Sequence, residues 1–200
     1  MKVLIKKAIS LLCVMGIMFS FGVTAFAAET NDTSVMTPNS EYYLTAEEIM
    51  NGDHFSKEEI AAATEDGAII LGGFDAPVSA LDGTSTRAIT GQVWCRTYAT
   101  YDSDDGVSVN VELYVPWYYF TNPKFTSMSG TVTVTLNSKN TSKAFAAFAD
   151  EEKTIEADVD TGAKASSGTE GTVKIKGTAT GTNILAGAGY FESEFEITIP

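Results

Sequence analysis

Histidine and cysteine are almost missing from this 200-residue chain, which has one of the first and two of the second. Cys13 lies inside an apolar run near the start, so the remainder holds Cys95 alone. One thiol cannot close an intramolecular disulfide, and a hydrophobic core must supply the stability that small exported domains often take from cross-links. Cys95, between Trp94 and Arg96 in a strand-like run, reads as a buried and inert thiol. The lone histidine, His54, sits in Asn51-Gly-Asp-His, a turn where a solvated imidazole is expected. Acyl transfer by a Ser-His-Asp or Cys-His set needs an imidazole beside the nucleophile, so no such set fits within residues 88–200. Zinc is disfavoured for the same reason, because its sites want three or four protein ligands rich in Cys and His. Phosphate-binding signatures are missing too: Ala186-Gly-Ala-Gly-Tyr190 lacks the Lys-Ser/Thr of a P-loop. No cofactor is implied.

Positive charge is the next scarcity, 13 Lys and Arg against 26 Asp and Glu. Three of the lysines, Lys2, Lys6 and Lys7, precede an uncharged apolar stretch from Ala8 to Phe26 that closes on Ala25-Phe26-Ala27. A basic start, an apolar middle and small residues at −3 and −1 describe a Sec-type export signal of bacterial form, cleaved after Ala27. The exported chain then carries ten basic and 26 acidic residues, a formal charge of −16. Such a field repels nucleic acid and anionic membrane surfaces, so the expected location is extracellular and the expected partner is neither.

Composition changes near residue 87. Between Ala28 and Gly83 there are twelve acids and a single base, Lys57. Residues 28–40 are polar and short of apolar anchors. Thr45-Ala-Glu-Glu48 and Ser56-Lys-Glu-Glu59 are capping boxes, each predicting the start of a short helix. Ala68-Ile-Ile-Leu71 suggests a strand stopped by Gly72-Gly73, and Asp82 to Arg87 has linker composition. Three parts are expected: a signal (1–27), an acidic, partly helical region with linker (28–87), and a β-domain (88–200).

In the third part apolar residues alternate with polar ones. Val107, Val109, Val111, Leu113 and Val115 interleave with Ser108, Asn110, Glu112 and Tyr114. The pattern recurs over 131–136, 155–160, 173–176 and 191–199. Period 2 places one face on a core and the other toward water. Gln92 to Tyr101, apolar or aromatic on both faces, reads as a central strand, and Ala144 to Ala149 as a strand or a helical turn. About seven strands joined by turns, with no helix between them, predict an all-β antiparallel sandwich. In architecture this resembles the immunoglobulin-like sandwiches, without their paired cysteines.

Two clusters are candidate sites. Asp102, Asp104 and Asp105 crowd one turn and offer hard oxygen ligands to calcium, but an EF-hand loop starting at Asp102 would need Gly and Glu where Val107 and Leu113 stand. The expected role is a polar hairpin turn, with no metal. The second is Pro116-Trp117-Tyr118-Tyr119-Phe120-Thr-Asn-Pro123, four aromatics between prolines. Prolines keep this stretch off a central ladder. Trp117, Tyr118 and Tyr119 could then stack on sugar rings or anchor a protein interface, or Trp117 and Phe120 could plug the end of the core. The reading that follows is a non-catalytic extracellular module binding a glycan or a protein. Two alternatives remain: a β-domain effector or inhibitor released by cleavage of an acidic pro-segment at Arg87, and a hydrolase using paired carboxylates.

Overall fold

The computed structural model describes residues 42–52, 54–78, 93–116, 123–184 and 189–200. Residues 1–27, expected to be an export signal, the polar stretch 28–40, Arg87 and residues 117–122 lie outside them. Among the described residues no helix is long and apolar enough to cross a membrane.

The alternating segments form strands in two antiparallel sheets. The first has five strands, in the order β1 (Tyr43–Thr45), β2 (Ile69–Pro77), β3 (Trp94–Asp102), β4 (Gly106–Tyr114) and β7 (Thr154–Ala163). The second runs β6 (Lys139–Glu152), β5 (Lys124–Leu136), β8 (Glu170–Thr182) and β9 (Tyr190–Thr198). One continuous core draws on both: Val107, Val109, Val111 and Leu113 of β4 join Val132 and Val134 of β5, Val173 and Ile175 of β8, and Phe191 and Phe195 of β9. Tight turns set the registers. Asp102 faces Gly106 across the β3–β4 hairpin, and Asn137-Ser138, both at positive φ (50° and 62°), close β5 onto β6 as a two-residue hairpin turn does. Ala144 to Ala149, ambiguous from sequence, belongs to β6.

The change of composition near residue 87 does not separate the sheet. β2, from the acidic part, pairs along its length with β3, and its Phe74 is fully buried with its ring 5.9 Å from that of Phe195 in the opposite sheet. Gly72-Gly73 does not stop this strand either. The ladder steps past Leu71 in a bulge and continues to Pro77. At Gly73 a Cβ would lie 2.0 Å from the Thr97 carbonyl oxygen, so glycine is what allows β2 and β3 to approach.

Both capping boxes form. Thr45 Oγ1 accepts from the Glu48 amide at 3.3 Å while Glu48 Oε2 accepts from the Thr45 amide at 2.8 Å, opening α1 (Ala46–Asn51). Ser56 and Glu59 exchange the same bonds at 3.2 and 2.6 Å and open α2 (Lys57–Ala63). Leu44, Ile49, Phe55 and Ile70 make a second, smaller core beneath these helices, with Ile60 and Tyr98 against it. On β5, β8 and β9 the outward face of the four-stranded sheet is largely polar, with Thr131, Thr133, Lys174, Lys176, Glu192 and Glu194. There Lys174 and Lys176 both reach Glu192 Oε1 at 2.9 Å.

Candidate functional site

The outward face of the five-stranded sheet carries most of the unusual side chains. In β3 Cys95, Thr97 and Ala99 point to the core, so Trp94, Arg96 and Tyr98 point out. Opposite them on β4 stand Tyr114, Glu112 and Asn110, with Pro77, Asp75 and Gly73 on β2 and Thr154, Glu156 and Asp158 on β7.

Arg96 is the hub of this face. Its Nε donates to Glu112 Oε2 at 2.7 Å and a terminal nitrogen donates to the same oxygen. It also donates to Glu59 Oε1 at 2.8 Å and to the His54 carbonyl at 2.6 Å. The guanidinium lies between two rings, 4.9 Å from the centroid of Phe55 and 5.3 Å from that of Tyr114. Arg96 therefore ties the helical segment, through His54, Phe55 and Glu59, to the β3–β4 ladder. Burial pushes the Glu112 carboxyl above its ordinary value even with Arg96 beside it. Asp75 accepts from the Tyr114 hydroxyl at 2.9 Å and lies 3.2 Å from His54 Nδ1. His54 is thus placed against a buried carboxylate, not simply solvated in a turn. Burial and the nearby Asp75 raise the Tyr114 phenol strongly, and burial with Asp158 and Glu156 pushes Tyr98 up to about 12. Asn110 donates to both Glu156 and Asp158. Arg96 joins Glu112 to the His54 carbonyl, and the His54 ring meets Asp75, so these contacts form a latch between the helical segment and the sheet.

At one end of the face the aromatics gather. Trp94 and Tyr114 lie 6.2 Å apart and tilted by 38°, and Tyr42 meets Trp94 edge-on at 6.5 Å. Trp94 Nε1 is buried and has no acceptor among the described residues. Beyond Tyr114 the amide of Val115 donates to the Lys153 carbonyl at 3.0 Å. The chain leaves the five-stranded sheet at Pro116 and re-enters in the other sheet at Pro123, which is buried. Trp117, Tyr118, Tyr119 and Phe120 fall between these two points in the sequence, and Pro116 follows Tyr114 of the Trp94–Tyr114 pair by two positions. Those four residues lie outside the described ones.

The aspartates of the other cluster occupy the β3–β4 turn. Asp102 Oδ1 accepts from the amides of Asp104 and Asp105 at 2.6 and 3.1 Å, and Lys164 Nζ donates to the Asp104 carbonyl. Among the described residues no group of three or more His, Cys, Asp or Glu is placed to hold a metal ion. Cys95 is fully buried in the core, and burial drives its thiol far above the ordinary range.

Trp94 and Tyr114 were not singled out from sequence as site residues. The signal was nonetheless there. A hairpin closed by Asp102 and Gly106 pairs each residue with the one whose number completes the same total, which sets Trp94 beside Tyr114 and Arg96 beside Glu112. The chain matches no family model, no curated protein and no solved structure.

Proposed function

We propose that this protein is a secreted, non-catalytic module that binds an extracellular glycan or protein partner through Trp117, Tyr118 and Tyr119, supported by the ledge of Trp94 and Tyr114. The two sheets are read as an immunoglobulin-like sandwich, with 117–122 as a connection at its end. The observation that carries the reading is the Trp94–Tyr114 pair on the outward face, beside the point where the four-aromatic segment leaves the sheet. Rigid rings with polar tips give large contact area at low entropic cost and suit both sugar stacking and protein interfaces. The latch around Arg96 fixes the platform beneath them. A formal charge of −16 after signal removal suits an extracellular setting and works against nucleic acid and anionic membranes.

Two features weigh against the alternatives. Glu112, the acid that burial raises, is engaged by Arg96, which leaves it badly placed to donate a proton to a glycosidic oxygen. Cleavage at Arg87 would leave β2 hydrogen-bonded to β3 with Phe74 in the core, so the acidic part would stay attached to the β-domain instead of being released. The direct test replaces Trp117 and Tyr118 together by Ala and measures retention on glycan and protein arrays. Loss of retention with a melting temperature within a few degrees of the parent is expected. Unchanged retention refutes the reading.

A further inference from the structure

The two outer strands of the four-stranded sheet are finished differently. β9 carries Glu192, Glu194 and Glu196 along its length, and the Tyr43 hydroxyl donates to the Glu194 carbonyl at 2.8 Å. Charge and a covering side chain are common ways of blunting a sheet edge. Among the described residues β6 has no charge and no such hydrogen-bonded covering side chain over its central part. Its run Ala144-Phe-Ala-Ala-Phe-Ala149 contains no charge and no proline, and no strand pairs with its far side among the described residues.

The hairpin decides which backbone groups face outward. Leu136 and Lys139 close the two-residue turn and form its hydrogen-bonded pair. Lys139, Thr141, Lys143, Phe145 and Ala147 therefore direct their amides and carbonyls to β5, and Asn140, Ser142, Ala144, Ala146 and Phe148 direct theirs to the free edge. The pairing stays regular from residue 139 to 148 and is broken only afterwards, near Glu151, which has a φ of 54°. Ten residues of straight strand, roughly 33 Å, thus present a ladder with which no other strand pairs among the described residues. Phe148 on the outward face of this strand is 86 % exposed.

Charge selects the occupant. The beginning of β6 carries Lys139 and Lys143, its end carries Asp150, Glu151 and Glu152, and the apolar run lies between. Among the described residues no ion pair engages Lys139, Lys143, Asp150 or Glu152. An antiparallel copy of the same strand, with the two-fold axis at residues 144–146, brings the Lys139 end of each copy to the acidic end of the other. It also sets each Phe148 over the small residues Ser142 and Ala144. A parallel copy would place like charges side by side. We infer that β6 is a self-pairing edge, through which two copies of this protein join antiparallel into one continuous eight-stranded sheet. Such a contact is closed by its own symmetry and does not propagate. It uses a surface different from the aromatic ledge and stands or falls independently of the ligand.

Sedimentation of the exported protein over a concentration series tests the inference, alongside Ala144→Lys and Ala146→Pro. Ala144 is exposed, and the Ala146 amide points away from β5, so neither change removes a bond within the sheet. A reversible dimer is expected for the parent. Each variant should raise its dissociation constant at least about tenfold, with the melting temperature of the dissociated protein unchanged. Lys139→Glu should weaken the dimer. Hydrogen exchange should show the amides of Asn140, Ser142, Ala144 and Ala146 protected only in the dimer. A parent that stays monomeric overturns the inference. So does a dimer indifferent to Ala144→Lys, or protection of those amides in the monomer, which would mean that the edge is already covered within one copy.

Discussion

Replacing Arg96 by Met keeps an unbranched stem between the rings of Phe55 and Tyr114 and deletes the charge with its hydrogen bonds to Glu112, Glu59 and the His54 carbonyl. Removing one member of a buried ion pair costs about 3–5 kcal/mol, because the survivor is left charged in a poor solvent. Arg96 and Glu112 side chains are 17 % and 11 % exposed, which places the expected loss at the lower end, about 3 kcal/mol at pH 7. For a domain of this size that is a fall of about 6–12 °C in melting temperature. The pH dependence identifies the cause. In the parent burial already holds the Glu112 carboxyl above its ordinary 4.5, and without Arg96 it must rise further. A carboxyl raised by folding is destabilising where it is ionised, above its unfolded value, and the penalty disappears as pH falls through its folded value. The stability gap between parent and Arg96→Met should therefore narrow steadily on acidification toward about pH 4.5. Adding Glu112→Gln should recover at least about half of the loss at pH 7. Urea titrations at several pH values measure all of this. A loss under about 1 kcal/mol, or a gap independent of pH, would refute the latch.

Two further outcomes follow from local geometry. Burial works to raise the Glu192 carboxyl, but hydrogen bonds from Lys174, Lys176 and Tyr190 outweigh it and hold the pKa at about 2. Its stabilising contribution is complete above the unfolded value of 4.5 and lost as pH falls from there toward 2; screening at this partly exposed site reduces it to about 1 kcal/mol, so Glu192→Gln should flatten the acid limb of the stability curve by that amount. At Gly73 a Cβ would meet the Thr97 oxygen at 2.0 Å and the Tyr98 Cα at 2.9 Å, so Gly73→Ala should destabilise by about 3 kcal/mol. Gly168→Ala is the matched control, since that glycine has a φ of 79° and nothing near its Cβ position; backbone strain alone should cost it about 1 kcal/mol, and equal losses at the two sites would contradict the close approach of β2 to β3.

What could be read from the sequence was whatever is fixed within a few residues. Alternation of Val107 to Val115 assigned the inward face of β4, and the capping boxes at Thr45 and Ser56 located both helices, because a side-chain oxygen and an amide three residues on decide those features between themselves. Gly72-Gly73 misled for the opposite reason. In a local reading two glycines end a strand, yet here they continue it, because the Thr97 carbonyl of another strand lies where a side chain would be. The charge density of residues 28–87 does not report the pairing of β2 with β3, because it describes the water-facing side of a segment, while membership in a sheet depends on inward residues such as Phe74 and Ala76.

The candidate site lies between these cases, and how far it was legible depends on the hairpin. The four aromatics after Pro116 stand out in any reading of the chain, but their support does not, since Trp94 and Tyr114 are 20 positions apart and become neighbours only through the β3–β4 register. The same register carries Arg96 to Glu112, after which the helical segment supplies Glu59, Phe55 and the His54 carbonyl to the same guanidinium. An acidic region that looks detached in sequence is thereby fastened to the sheet through one of the few basic residues in the chain. Scarcity of positive charge gives that residue its weight: with acids at 59, 75 and 112 gathered around it and no lysine or other arginine bonded to them among the described residues, Arg96 is the charge on which the outward face, and the aromatic platform at its end, depend.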